Sequence, residues 1–176
     1  MKAALVVILF ATSALAQRQS LPAAEVACGL KEIQFDTQLS EAQPLAQPDA
    51  GKSLVYLVEV FEKVVGQLSS PTLRVGLDGT WVGADKGNSY ISFSVDPGEH
   101  HLCTRWQSRW KRYSNEVAFT SFTAEPGKIY FFRARIHEIG GSGGASNFSL
   151  DLEPLNGDEG KYLVASSPLS VSNPKK

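Results

Sequence analysis

Two cysteines, one methionine and three histidines are all that the 176 residues offer of the soft and imidazole side chains that metal centres and covalent catalysts draw on. There is no Gly-x-Ser-x-Gly elbow, and Gly140–Gly144 lacks the following Lys-Ser/Thr and helix of a phosphate loop. Neither a hydrolase of the elbow type nor a nucleotide site is signalled, and no cofactor is expected. Charge of one sign is missing too: 17 Lys and Arg against 18 Asp and Glu leave a formal −1, which argues against nucleic acid as a partner. The longest apolar run, Ala3 to Ala11, falls short of the ~20 residues of a bilayer span. A hydrophobic fraction of 43% excludes a chain disordered for want of apolar residues.

What is present begins with a leader. Met1-Lys2, the apolar run and Ala14-Leu15-Ala16 follow the charge, core and small-x-small order of a secretory signal peptide, so residues 1–16 are expected to be cleaved after Ala16. The mature chain of roughly 160 residues is of single-domain size and is not expected to be an integral membrane protein. Cys28 lies too far beyond the apolar segment, with Glu25 three positions before it, to read as a lipid attachment site. In an oxidising compartment Cys28 and Cys103, 75 positions apart, read as one disulfide. The chain-entropy model gives such a loop about 4.5 kcal/mol of stabilisation. In a reducing compartment the same residues would be free thiols or, with His101, a metal pair.

Alternation organises the rest. Ile33, Phe35 and Leu39 alternate with polar residues as in an edge strand, and Ser40 to Gly51, with Pro44 and Pro48, reads as a linker. Leu54 to Phe61 is nearly all apolar, β-branched or aromatic, the pattern of a central strand covered on both faces. Further strands are predicted over Leu73–Leu77, Tyr90–Val95, His100–Trp106, Val117–Ala124, Tyr130–Ile136 and Phe148–Leu152. Asp78-Gly79, Pro97-Gly98 and Pro126-Gly127 supply the turns. Gly140–Gly144 reads as a flexible loop. Asn156 with Glu159 signals one short C-terminal helix, and Pro168 is expected to end regular structure. The sum is an all-β chain: an antiparallel β-sandwich of about eight strands over residues 52–170, preceded by an arm and Pro-rich linker at 17–51 and followed by a tail at 171–176.

Three stretches carry a resemblance: Leu77-Asp78-Gly79-Thr80-Trp81-Val82-Gly83, Val95-Asp96-Pro97-Gly98-Glu99-His100, and Ala124-Glu125-Pro126-Gly127-Lys128-Ile129-Tyr130. In order and spacing they are similar to a family of small exported bacterial domains of unknown function, distantly akin to the PEGA-type sandwich. The resemblance implies a bacterial source, an exported location in the periplasm or outside the cell, and a non-catalytic role. Its motifs are turn signatures, so they speak to fold and assign no catalytic residue.

His100 and His101 are adjacent on one strand and point to opposite faces, which keeps them from sharing a metal. Asp78, Asp85, Asp96 and Glu99 sit near turns without the spacing of a calcium loop and read as turn formers. The densest chemistry is Arg105-Trp106-Gln107-Ser108-Arg109-Trp110-Lys111-Arg112-Tyr113, four cations and three aromatics in an otherwise slightly acidic chain. With Trp81 and Tyr90 it is the candidate binding surface, suited to a glycan, an anionic head group or an acidic protein patch. The plain structural reading is a hairpin with Trp106 turned inward and the cations solvated at its tip. The function expected is a non-catalytic binding or structural module of the cell envelope, with an envelope protein or polymer as partner. The alternative is a hydrolase or inhibitor-like accessory factor. Thiol titration of the native exported protein is expected to find no reactive thiol, and two would refute the disulfide.

Overall fold

The computed structural model describes residues 27–28, 33–61, 70–142 and 145–176; the predicted leader lies outside them. Among the described residues ten strands form two sheets. They are β1 (Phe35–Ser40), β2 (Ser53–Phe61), β3 (Thr72–Leu77), β4 (Thr80–Lys86), β5 (Tyr90–Val95), β6 (Gly98–Trp106), β7 (Val117–Ala124), β8 (Ile129–Ser142), β9 (Ala145–Leu155) and β10 (Leu169–Pro174). A one-turn helix α1 (Lys111–Ser114) sits between β6 and β7, and α2 (Gly157–Ser166) lies between β9 and β10. The larger sheet has the order β1-β10-β5-β2-β8-β9 and the smaller one β4-β3-β6-β7.

β2 has no solvent face. Val55, Leu57 and Phe61 meet Leu73 and Val75 of β3, Leu102 and Trp106 of β6, and Phe132, Ala134 and Ile136 of β8 in the core between the sheets. Leu54, Tyr56 and Val58 point the other way, into a second cluster with Tyr90, Phe131 and Val164. Leu45 of the 41–52 segment and Leu163 of α2 pack against that second cluster. The segment read as a linker is therefore a cover for the sheet. Two buried phenols fasten it, Tyr90 accepting from Gln43 N at 3.0 Å and Tyr56 from Ala46 N at 2.8 Å.

Several expectations are corrected. The fold is mostly β with two sheets, but pairing is mixed: β2 runs parallel to β8 and β10 parallel to β5, while the remaining pairs are antiparallel. The Pro97-Gly98 and Pro126-Gly127 turns close no hairpins; each carries the chain from one sheet to the other. By contrast Asp78-Gly79 does close the β3–β4 hairpin, with φ of 49° and 80° as a type I′ turn demands. Gly140, Gly141 and Ser142 continue β8 instead of forming a loop, after an irregularity between Glu138 and Gly140. Residues 171–176 are no tail either: β10 runs to Pro174 and pairs with β1 along its length.

The predicted helix is present as α2. Asn156 Oδ1 accepts from Asp158 N and Glu159 N, and Arg133 joins the helix to β9 through Glu159 at 2.8 Å and Glu153 at 2.5 Å. Gly160 weakens a helix by about 1 kcal/mol relative to alanine. Here packing decides otherwise, because a Cβ at 160 would overlap the Phe131 ring. Gly160→Ala is accordingly expected to lower unfolding free energy by about 1–3 kcal/mol in urea titration, despite the better intrinsic propensity of alanine. A stabilised variant would show that α2 can lift away from the sheet at no cost.

Candidate functional site

The basic-aromatic segment divides between core and surface. At the end of β6, Trp106 is buried and stacks on Tyr113 with centroids 4.7 Å apart; Phe148 of β9 meets both rings edge-on at 5.7 and 5.8 Å. Between the two stacked residues the chain makes a tight excursion. Ser108 Oγ accepts from Trp110 N, the Trp110 carbonyl accepts from Tyr113 N and Ser114 N, and Arg105 Nε donates to Ser114 O. The connection is thus a loop closed by the α1 turn, with Trp106 inward as the plain reading held. Arg109 and Trp110 are left outside, Trp110 with 71% of its surface exposed. Lys111 and Arg112 lie on α1.

Beside this excursion Tyr113, Glu116, Ile139, Asn147 and Phe148 line a cleft of about 220 Å³. Ile139 is 63% exposed at its rim. Ile139, Asn147 and Phe148 come from the β8–β9 hairpin, some thirty residues downstream, and carry no charge or motif that sequence could have tied to the segment.

The other two candidates are elsewhere. Tyr90 is buried and holds the 41–52 segment, so it belongs to no surface. Trp81 is partly buried on the outer side of the smaller sheet, where the Arg74 guanidinium stands 4.8 Å from its ring centre. It packs there with Ala27 and the Cys28–Cys103 pair, which is disulfide-bonded with a Cα separation of 5.4 Å. The disulfide therefore fixes Ala27 and Cys28 on β6, the pairing that the cysteine count predicted.

The histidines are separate. His100 Nδ1 lies 2.6 Å from Asp78 Oδ2 and Nε2 lies 2.7 Å from the Asp96 carbonyl, while Asp78 Oδ1 accepts from His101 N. Burial disfavours the charged ring, but these two acceptors outweigh it and raise the His100 pKa. Burial likewise works against the Asp78 carboxylate, and the bonds from His101 N and His100 overcome it and lower the pKa. The pair pins the β3–β4 turn to the start of β6. His137 Nδ1 stands 3.3 Å from Asp151 Oδ2 on the β8–β9 pair. Among the described residues no three His, Cys, Asp or Glu converge as a metal site would require.

A feature that the sequence hid is a fully buried pair of carboxyls. Asp85, read as a turn former, lies on β4 and accepts from Glu59 N at 3.1 Å, Lys86 N at 2.8 Å and the Ser89 hydroxyl. Glu59, on β2, accepts from Gly87 N at 2.9 Å through Oε2, and its buried Oε1 has no partner among the described residues. Burial raises Asp85 to about 7 against the hydrogen bonds it receives. Burial and the neighbouring Asp85 charge raise Glu59 well above the ordinary range. The signal available in sequence was a lone acid inside an apolar strand.

Family models, curated proteins and solved structures were all compared with the chain, and none matches.

A carboxyl with a raised folded-state pKa stabilises the fold fully below its unfolded pKa and loses that contribution as pH rises through the folded value. Native stability is therefore expected to fall between about pH 4 and pH 8, with raised His100 acting in the same direction. Glu59→Gln keeps the acceptor for Gly87 N while removing one charge. It is expected to flatten this slope and to gain about 1–3 kcal/mol at pH 8 in urea unfolding. An unchanged slope would mean the pair is not the source.

Proposed function

We propose that this protein is an exported, non-catalytic binding or structural module of the bacterial cell envelope, and that its contact surface is the β6–β7 connection with the adjoining cleft. The observation that carries the reading is Trp110: a large aromatic ring 71% exposed, next to exposed Arg109 and beside a cleft walled by Tyr113, Phe148 and Ile139. Exposed large aromatics beside cations are the residues that dominate binding surfaces, and a rigid base makes them effective. That base is present, since the Trp106–Tyr113–Phe148 stack anchors both ends of the excursion in the core. Export is supported by the leader-like residues 1–16 and by the disulfide, which suits an oxidising compartment. No helix among the described residues is long and apolar enough to cross a membrane. The resemblance to exported PEGA-like domains rests on the three turn motifs alone.

The enzymatic alternative has less to build on. His100 is held by an aspartate and a carbonyl in a turn, and His137 faces one aspartate on the other sheet. The partner chemistry proposed is anionic and ring-bearing or hydroxyl-rich, as in an envelope polymer. Replacing Arg109, Trp110 and Arg112 together by alanine is expected to abolish retention on isolated envelope while leaving the melting temperature within a few degrees, because Arg109 and Trp110 are exposed. Unchanged retention would sink the proposed surface.

A further inference from the structure

We infer that the cleft beside the β6–β7 connection binds one uncharged sugar ring of a longer glycan, with Glu116 and Asn147 taking its hydroxyls. The inference rests on the reading of this connection as the contact surface, and it narrows the ligand chemistry at the centre of that surface.

Both polar groups are held in place and unused. Glu116 is fixed by its main chain, its N–H donating to Tyr113 O at 3.0 Å and its carbonyl accepting from Trp106 N at 3.3 Å. Its carboxylate and the carboxamide of exposed Asn147 bond to no described residue. They share the cleft with Tyr113, Phe148 and Ile139. A bulge brings the last of these. Glu138 opposes Phe148 and Gly140 opposes Asn147, so Ile139 is an extra residue in β8, and Gly140 takes a φ of 106° that a side chain resists. Bulges re-aim side chains next to binding and active sites, and this one leaves Ile139 63% exposed at the rim.

The lining selects the ligand. A carboxylate only accepts, so what it binds must bring donors and no negative charge, whereas a carboxamide both donates and accepts. A cationic ligand meets repulsion from Arg105, Arg109, Lys111 and Arg112 in the adjoining segment. What these exclusions leave is an uncharged group whose polar atoms both donate and accept, with C–H surface for the apolar walls. The hydroxyls and the C–H face of a sugar ring supply both. At about 220 Å³ the cleft is smaller than the ~300–1,000 Å³ pockets that enclose a drug-sized ligand. It therefore takes a single ring, and the neighbouring units of the glycan lie outside, where Arg109 and Trp110 are exposed.

Amide NMR of the mature, disulfide-intact, isotope-labelled protein, titrated separately with cellotetraose, maltotetraose and chitotetraose, is the test. At least one sugar is expected to shift the Asn147 side-chain signals and the Glu116 and Ile139 main-chain signals, saturating at about millimolar concentration. Tetralysine and tetraglutamate are expected to leave the Asn147 side-chain signals unmoved. The Glu116→Ala, Asn147→Ala double variant is expected to bind the sugar at least about ten-fold more weakly. Glu116→Gln keeps an acceptor without the charge and is expected to stay within about five-fold of wild type; a loss as large as the double variant's would mark a cationic ligand and overturn the inference. Dispersion of the remaining amide signals certifies the fold, and Asn147→Ala alone serves where the double variant is unfolded. No saturable shift with any of the three sugars overturns the inference, as does binding that survives the folded variants. Envelope retention separates the two readings: retention lost in the Arg109, Trp110, Arg112 variant without any sugar shift keeps the surface and removes the sugar, and sugar binding with unchanged retention does the reverse.

Discussion

Val55, Leu57 and Phe61 on one side of β2, and Leu54, Tyr56 and Val58 on the other, must all be kept from water. Side chains of this size contribute roughly 1.5–3 kcal/mol each when buried, so a strand with six of them cannot lie on a surface. One cover is the smaller sheet, delivered by the sheet-switching turns at Pro97-Gly98 and Pro126-Gly127. The other is assembled from the 41–52 segment and α2, and it is why a proline-rich stretch is pinned by Tyr56 and Tyr90 and why Gly160 must lack a side chain. The parallel neighbour β8 follows as well, since a strand buried on both faces can accept a parallel partner that arrives by crossover.

The same constraint explains the buried carboxyls. Glu59 lies on β2 among residues sealed from solvent, and Gly87 N and Asp85 complete its surroundings from the β4–β5 corner. Ser89 O accepts from Glu59 N as well, so backbone and side chains together bind β2 of the larger sheet to the β4–β5 corner. A buried acid pair is a poor source of stability at neutral pH and a good source of specificity, because the unsatisfied alternatives are worse. It fixes which residue of β2 faces the corner.

Local signals in the sequence were read well and non-local ones poorly. The Asp78-Gly79 hairpin, the Asn156 cap, the both-faces pattern of β2 and the cysteine pair each depend on residues near in sequence or on a count, and each appears in the structure. β10 is hard to see in the sequence because Pro168 and Pro174 bracket it and its alternation is limited to Leu169 and Val171 against Ser170 and Ser172; it is a strand because β1 pairs with it along six residues. Gly140 to Ser142 read as a loop in the sequence because glycine lowers strand propensity, yet β9 supplies the ladder that holds them. The candidate site suffered in the same way. An aromatic residue in a mixed segment has no sign that tells core from surface, so Trp106 and Tyr90 were grouped with Trp110 although packing separates them.

The cleft beside the β6–β7 connection takes its walls from both sheets. Glu116 immediately precedes β7, and Ile139, Asn147 and Phe148 come from β8 and β9 at the edge of the larger sheet. Phe148 also meets the stacked rings of Trp106 and Tyr113 edge-on, so the contact that closes the core at this end is the one that sets the cleft wall. Packing between the sheets thus decides both which aromatic rings of the segment turn inward and where Trp110 is left exposed.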